Sequence, residues 1–143
     1  IDISSEALEL AAENIRRHRL EARVRLLQLD ILAEGHTLDQ GGYDAIVANP
    51  PYVSVAEYDL LEPEVKNFEP ALATTDGGDG LTFFKAISTL GLGVLRRGGS
   101  VIVEHSYDQS AAVSLIFTSA GYHRIEAVRD YNGILRLVKA RVP

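Results

Sequence analysis

Four consecutive residues, Asn49-Pro50-Pro51-Tyr52, have the chemistry to hold a planar NH2 group. Neither proline carries an N–H, and each pushes the residue before it into an extended conformation. The carbonyls of Asn49, Pro50 and Pro51 therefore lie in a segment that cannot pair as a strand, and they are free to face a ligand. The Asn49 side chain adds an acceptor and two donors, and Tyr52 adds a flat wall with a hydroxyl. The plainer reading of two prolines is a surface stop to a strand. Here an apolar run precedes them and an aromatic follows. In open α/β sheets, ligands bind outside the carboxyl ends of the strands.

Asp2 and Asp30 offer a second kind of acceptor. Each closes a stretch that reads as a strand. In a doubly wound sheet, the carboxylate at the end of the second strand reaches ribose hydroxyls. An ionised aspartate only accepts, which suits a diol. An aspartate one strand further out can accept from an adenine amino group, with Ile31 packing on the ring. Taken singly, each reads more simply as a turn residue or helix cap. Together with Asn49-Pro50-Pro51-Tyr52, they are expected to form a line along one rim.

The elements that must position these groups follow from apolar spacing. A helix is predicted over residues 5–18, capped by Ser4 or Ser5, with Leu8, Ala11, Ala12 and Ile15 on one face. The basic cluster Arg16-Arg17-His18-Arg19 suits the negative end of that helix, and its other reading is a phosphate patch. Residues 24–29 read as a strand ending at Asp30, and residues 43–48 as a buried strand. The connection over 53–80 is long for a compact domain, with a short helix expected around 58–67. A helix over 81–95 carries Leu81, Phe84, Ile87 or Ser88, Leu92 and Leu95, and Arg97-Gly98-Gly99 stops it. Val101–Glu104 reads as a buried strand. Residues 108–120 read as a helix with Ala112, Leu115, Ile116 and Ser119 on one face. Strands over 122–129 and 135–142 flank Asp130-Tyr131-Asn132-Gly133 and read as an antiparallel hairpin. The alternation predicts an α/β fold: a mostly parallel sheet with helices on both faces, the hairpin adding one antiparallel strand.

Composition narrows the class. The 143 residues are 46% hydrophobic, enough for a core, and the formal net charge is −6. That balance argues against broad attraction to phosphate backbones, so direct nucleic-acid binding is not expected. The chain lacks cysteine, which excludes a disulfide framework and Cys-based metal or thiol chemistry. No metal site is expected. No apolar run is long enough for a membrane span, no signal-peptide pattern opens the sequence, and a cytoplasmic location is expected. Ile1-Asp2-Ile3-Ser4 reads as the end of a strand entering a helix, so the sequence reads as a partial catalytic domain over 1–143, starting at the end of a second strand.

Asp2, Asp30 and Asn49-Pro50-Pro51-Tyr52 resemble the nucleoside-binding acids and the [Asn/Asp/Ser]-Pro-Pro-[Tyr/Phe/Trp] motif of S-adenosylmethionine-dependent amino-methyltransferases. Residues 65–72 (Val-Lys-Asn-Phe-Glu-Pro-Ala-Leu), Asp79-Gly80-Leu81, Glu104-His105, Ala120-Gly121-Tyr122 and residues 129–133 resemble the release-factor glutamine methyltransferases, the PrmC/HemK family. This resemblance implies a Rossmann-like methyltransferase fold, here without the family's Gly-rich cofactor loop and amino-terminal helical domain. Ser106 stands where the family usually has Gly, and Ile31 where an aromatic is common. The implied cofactor is S-adenosylmethionine, leaving as S-adenosylhomocysteine, held by Asp2, Asp30, Ile31 and Asn49. The implied substrate is the Gln side-chain amide in the Gly-Gly-Gln loop of peptide-chain release factors. Asn49, Pro50, Pro51 and Tyr52 are the implied catalytic and substrate-binding residues. His105 reads as structural, and Glu69-Pro70 as shaping the loop that lines the cleft. Two other readings stand beside this one. A nucleic-acid methyltransferase would act on the exocyclic amino group of adenine or guanine, with Tyr52 stacking on a flipped base. A non-catalytic fragment would lack the cofactor's glycine cradle.

Overall fold

A computed structural model describes residues 1–143, apart from the side chain of His36. The chain divides into two compact units, Ile1–Thr37 and Leu38–Pro143.

In the first unit, α1 runs Ser5–Arg17. Ser4 caps it, its side chain accepting from the Ala7 N–H, and Arg16 and Arg17 lie in the last turn. Leu8, Ala11, Ala12 and Ile15 are half-buried while the rest of the helix is exposed, so the predicted face is the inward one. The strand expected over 24–29 does not form. It is reduced to one parallel bridge between Asp2 and Gln28, with Asp2 N–H donating to the Leu27 carbonyl (3.2 Å) and Leu29 N–H to that of Asp2 (3.1 Å). The reason is local. The opposing segment turns into α1 at Ser4, leaving no length to pair. A one-turn helix, α2 (Ile31–Glu34), follows, with Asp30 as its cap.

The second unit is built on a four-stranded sheet. Its strands are β1 (Tyr43–Ala48), β2 (Leu95–Glu104), β3 (His123–Arg129) and β4 (Leu135–Arg141), in the order β1-β2-β4-β3. β1 pairs parallel to β2, while β4 is antiparallel to both β2 and β3. Three strands therefore run one way, and β4 runs against them. The mostly parallel sheet with an antiparallel hairpin is as expected, and β4 lies between β2 and β3. The apolar run predicts a buried strand at β1, yet Val47 is 76% exposed and no residue of β1 is fully buried. β1 is an edge strand, paired only with β2 among the described residues.

Three short helices, α3 (Val55–Tyr58), α4 (Pro63–Phe68) and α5 (Ala71–Thr74), break up the long connection, and α6 (Thr82–Val94) follows. The buried face of α6 is Phe84, Ile87, Ser88, Gly91 and Val94, spaced by three and four. Leu92, expected inward, is 42% exposed. Arg97-Gly98-Gly99 does not stop this helix. It ends at Val94 because Leu95 is already extended (φ −82°, ψ 143°), and β2 begins there. The glycines instead make a bulge, where the β1–β2 register jumps from Tyr43↔Leu95 to Ala45↔Ser100. In α7 (Ser110–Ser119) the buried residues are Ser110, Val113 and Phe117, not the Ala112–Ser119 face. Leu115 is 65% exposed. The small, mostly apolar residues of α7 make several faces look alike in sequence, and the bulk of Phe117 decides which turns in. Its ring meets Tyr122 edge-on at 5.1 Å. With Phe84, Val101, Val103, Val113 and Val138 it forms a core that is essentially dry. No helix among the described residues is long and apolar enough to cross a membrane.

Candidate functional site

The direction of β1 sets the site. Its last ladder pair is Ala48↔Val103. Asn49 and Glu104 are the next residues on two parallel strands, so they stand together at the carboxyl edge of the sheet. The antiparallel β4 starts at this edge, and the parallel β3 ends there.

Asn49 is exposed, and its side chain makes no hydrogen bond within the protein among the described residues. Pro50 is buried, Pro51 and Tyr52 half-buried. Among the described residues, no loop or side-chain donor reaches the carbonyls of Asn49, Pro50 or Pro51. The expected set of free acceptors is therefore present. The Tyr52 hydroxyl donates to Glu104 Oε1 at 3.4 Å, a long bond for an O–H donor. Burial pushes the Tyr52 pKa up, and the Glu104 carboxylate adds to this. The Arg136 guanidinium opposes them, and Glu69 adds a further raising charge. Tyr52, Glu104, Arg136 and Glu69 thus form one electrostatic neighbourhood. A shallow cleft lies along the hairpin, lined by Tyr107, Arg129, Gly133, Ile134, Leu135 and Arg136.

The chain leaving the motif is laced to the following loop. Val53 N–H donates to the Thr74 carbonyl (3.0 Å), and Val55 N–H to that of Gly78 (3.0 Å). Ser54 caps α3 in a reciprocal capping box with Glu57. The loop is organised by Asp76. Its Oδ1 accepts from the N–H of Gly78 (2.8 Å) and Gly80 (3.0 Å), and its Oδ2 from that of Thr82 (2.9 Å). Gln109 closes the assembly. Its Nε2 donates to the Tyr52 carbonyl at 2.8 Å and, more weakly, to the Gly80 carbonyl at 3.4 Å, while its Oε1 accepts from the Ser106 N–H at 3.0 Å. Neither Asp76 nor Gln109 stands out by motif. Asp76 had a signal in Asp-Gly-Gly-Asp-Gly, where an aspartate side chain commonly bonds the amide two residues on. Gln109 had none, since its partners lie in separate segments.

His105 is fully buried. Its backbone N–H donates to the Arg136 carbonyl (2.9 Å), its Nδ1 lies 2.6 Å from the Ser106 carbonyl oxygen, and its Nε2 is buried without a partner. The Nδ1 contact to a carbonyl places the ring proton there.

The acids expected to hold a nucleoside lie in the first unit, and the bridge at Gln28 brings their segments together. Each also has a local role. Asp2 Oδ1 accepts from the Ser4 N–H (2.9 Å), and Asp30 Oδ1 from the Leu32 N–H (2.8 Å). Both readings of these residues are thus compatible, because each carboxylate keeps a second oxygen. Two acceptor-only groups with a spare oxygen fit a ribose diol and an amino group, and half-buried Ile31 follows directly.

Comparison with known proteins gives a consistent set of likenesses. Residues 1–74 match the methyltransferase small domain. A release factor glutamine methyltransferase of Fusobacterium nucleatum subsp. nucleatum is 40% identical over 142 residues, covering 99% of the chain and 39% of that relative. The protein of the same name in Caulobacter vibrioides is 41% identical over 138 residues, covering 96% and 47%. The chain thus spans less than half the length of these two curated relatives. Among solved structures, the S-adenosylmethionine-dependent methyltransferase SibL aligns with a TM-score of 0.61 at 17% identity, over 100% of this chain and 42% of SibL, a likeness of fold.

Proposed function

The chain belongs to the methyltransferase small domain family, and from that premise we propose that it carries the acceptor site of a protein-(glutamine-N5) methyltransferase acting on peptide-chain release factors. The observation that carries this reading is the unpaired acceptor set of Asn49 and the two prolines at the carboxyl end of β1, with Tyr52 beside it. The names of the curated relatives support the choice of substrate.

When bound, S-adenosylmethionine would supply an electrophilic methyl group on a sulfonium, with S-adenosylhomocysteine as the product. Asp2 and Asp30 would hold the ribose hydroxyls and the adenine amino group through their spare oxygens, and Ile31 would pack on the ring. An amide nitrogen is a weak nucleophile because its lone pair is delocalised into the carbonyl. The Asn49 side-chain oxygen and the Pro50 carbonyl accept the two amide hydrogens of the substrate Gln. This fixes the plane of the amide, presents the nitrogen lone pair, and favours the positive charge that grows there on transfer. Tyr52 forms a wall against the Gln side chain. The nitrogen becomes acidic only as it gains the methyl, so no strong base acts beforehand, and the proton passes to solvent water afterwards.

Asn49→Ala in the intact protein tests this. Turnover on a release factor should fall by on the order of 10²-fold or more, as when a transition-state contact is lost. The affinity for S-adenosylmethionine should be nearly unchanged. Wild-type methylation by that variant would overturn the mechanism. Methylation of RNA or DNA in place of the release factor would overturn the substrate.

A further inference from the structure

We propose that Gln109 is a positioning residue for the acceptor site. Its side-chain amide clamps the Tyr52 carbonyl to the Gly80 loop and to Ser106, and so fixes the course of the chain as it leaves Asn49-Pro50-Pro51-Tyr52. The inference rests on the function proposed above and adds to it a residue outside the motif.

The need for such a clamp follows from the motif itself. Pro50 and Pro51 have no N–H, so they cannot be anchored by their own donors. The first fixed points after them are the Tyr52 carbonyl, held by Gln109 Nε2 at 2.8 Å, and the Val53 N–H, held by the Thr74 carbonyl at 3.0 Å. Gln109 reaches 57 positions back to Tyr52 and 29 back to Gly80, so a single side chain joins three parts of the unit.

The residue type answers to this task rather than to its helix. Gln109 occupies the cap position of α7, where Ser, Thr, Asp or Asn would satisfy a helix N–H, yet its side chain makes no capping bond. Only a side-chain amide offers two donors and an acceptor at once, as these three contacts require. Asparagine, one methylene shorter, would draw these atoms back toward the backbone. Gly80 completes the fit. It has φ +77°, and a Cβ there would overlap the Tyr52 carbonyl oxygen and come within 2.8 Å of Gln109 Nε2. The loop thus approaches the motif as closely as a backbone can, and Gln109 bonds both sides of that approach.

The consequence for function is geometric. A displacement of about 1 Å at a reacting group can cost roughly 10²-fold in rate. The test is to compare Gln109→Met, which keeps length and removes all three bonds, with Gln109→Glu, which keeps the acceptor for Ser106 and loses the donors. Both are made in the intact protein. For each, kcat and KM on a release factor, the affinity for S-adenosylmethionine, thermal stability, and amide exchange at Val53 and Val55 are measured. In both variants kcat should fall about 10- to 100-fold, with cofactor affinity within about two-fold. Exchange at Val53 and Val55 should quicken while the β2 amides keep their protection. Wild-type kcat with unchanged exchange would overturn the proposal. Exchange that quickens throughout the sheet would reduce Gln109 to a general structural residue and overturn it too. If the wild-type protein methylates no release factor, the proposed function falls, and the exchange measurement by itself decides the clamp. Gly80→Ala gives a second route to the same contact and should quicken exchange at the same two amides.

Discussion

Gly91 of α6 faces the hydroxyl of Tyr122 so closely that a Cβ at position 91 would overlap the phenolic oxygen. That hydroxyl donates to the Ser88 carbonyl at 2.9 Å, one turn back along the same helix. Replacing a glycine inside a helix by alanine ordinarily stabilises by about 0.5–1 kcal/mol. Here Gly91→Ala should destabilise, because overpacking of this kind costs roughly 1–3 kcal/mol. Tyr122→Phe removes the obstructing oxygen and should recover much of that loss, at the expense of one buried hydrogen bond worth about 1 kcal/mol. A double-mutant cycle by urea denaturation reads the coupling. Strict additivity of the two changes would contradict the contact.

Burial also pushes the Tyr122 pKa up to about 12 from an ordinary 10.0. The sign follows directly. Between these values the unfolded chain releases the phenolic proton and the folded chain keeps it. Stability should therefore fall as pH rises through that window, and no further above it on account of this residue. Denaturation midpoints of wild type and Tyr122→Phe should accordingly converge between pH about 10 and 12. A parallel pH dependence in the two proteins would exclude the effect.

Asp76 gives the opposite case. Burial acts to raise its pKa, but the Thr82 hydroxyl and the N–H groups of Thr82, Gly78 and Gly80 outweigh it and hold the pKa below 3.8. The stability this carboxylate supplies is complete above the ordinary value and is lost as pH falls through the lower, folded one. Acidification below 3.8 should release the loop first. Asp76→Asn must leave at least one loop N–H without its acceptor whichever way the amide turns, at about 1–2 kcal/mol for each. Amide exchange at Gly78, Gly80 and Thr82 against pH should show the wild type approaching the Asn variant only in acid.

Asp2→Ala should weaken binding of S-adenosylmethionine while leaving α1 in place, since the cap bond from the Ala7 N–H is made by the Ser4 side chain and only the Ser4 N–H loses its acceptor. Calorimetric titration of the intact protein with cofactor is the measurement, and unchanged affinity would remove Asp2 from the ribose site. Asp30→Ala is a less clean probe, because it also uncaps α2.

The sequence was legible where periodicity and punctuation agreed. α1 and β1 lie where spacing put them, and Asp130-Tyr131-Asn132-Gly133 marked the hairpin. The free acceptors of Asn49, Pro50 and Pro51 could be read because prolines constrain the backbone whatever surrounds them. Other features depend on partners that a sequence does not display. Residues 24–29 have the composition of a strand, but Ser4 removes the partner. Arg97-Gly98-Gly99 looks like a helix stop and is a strand bulge, since Leu95 has already left the helix. The exposure of β1 is not legible, because composition does not tell an edge strand from a central one. Gln109 was invisible for a related reason: its role exists only once Tyr52, Gly80 and Ser106 have been brought within reach.

The place of β4 between β2 and β3 has a consequence in time. β3 emerges from the ribosome before the one strand it pairs with among the described residues, and β2 waits for the same strand on its inner side. Until residues 135–141 are released, β3 has no ladder to join, and the edge of β2 that Glu104 closes stays open. The acceptor edge is therefore finished late in synthesis. A ribosome that stalls before Leu135 would leave a nascent chain that holds every residue of the motif and has no completed sheet to mount it on.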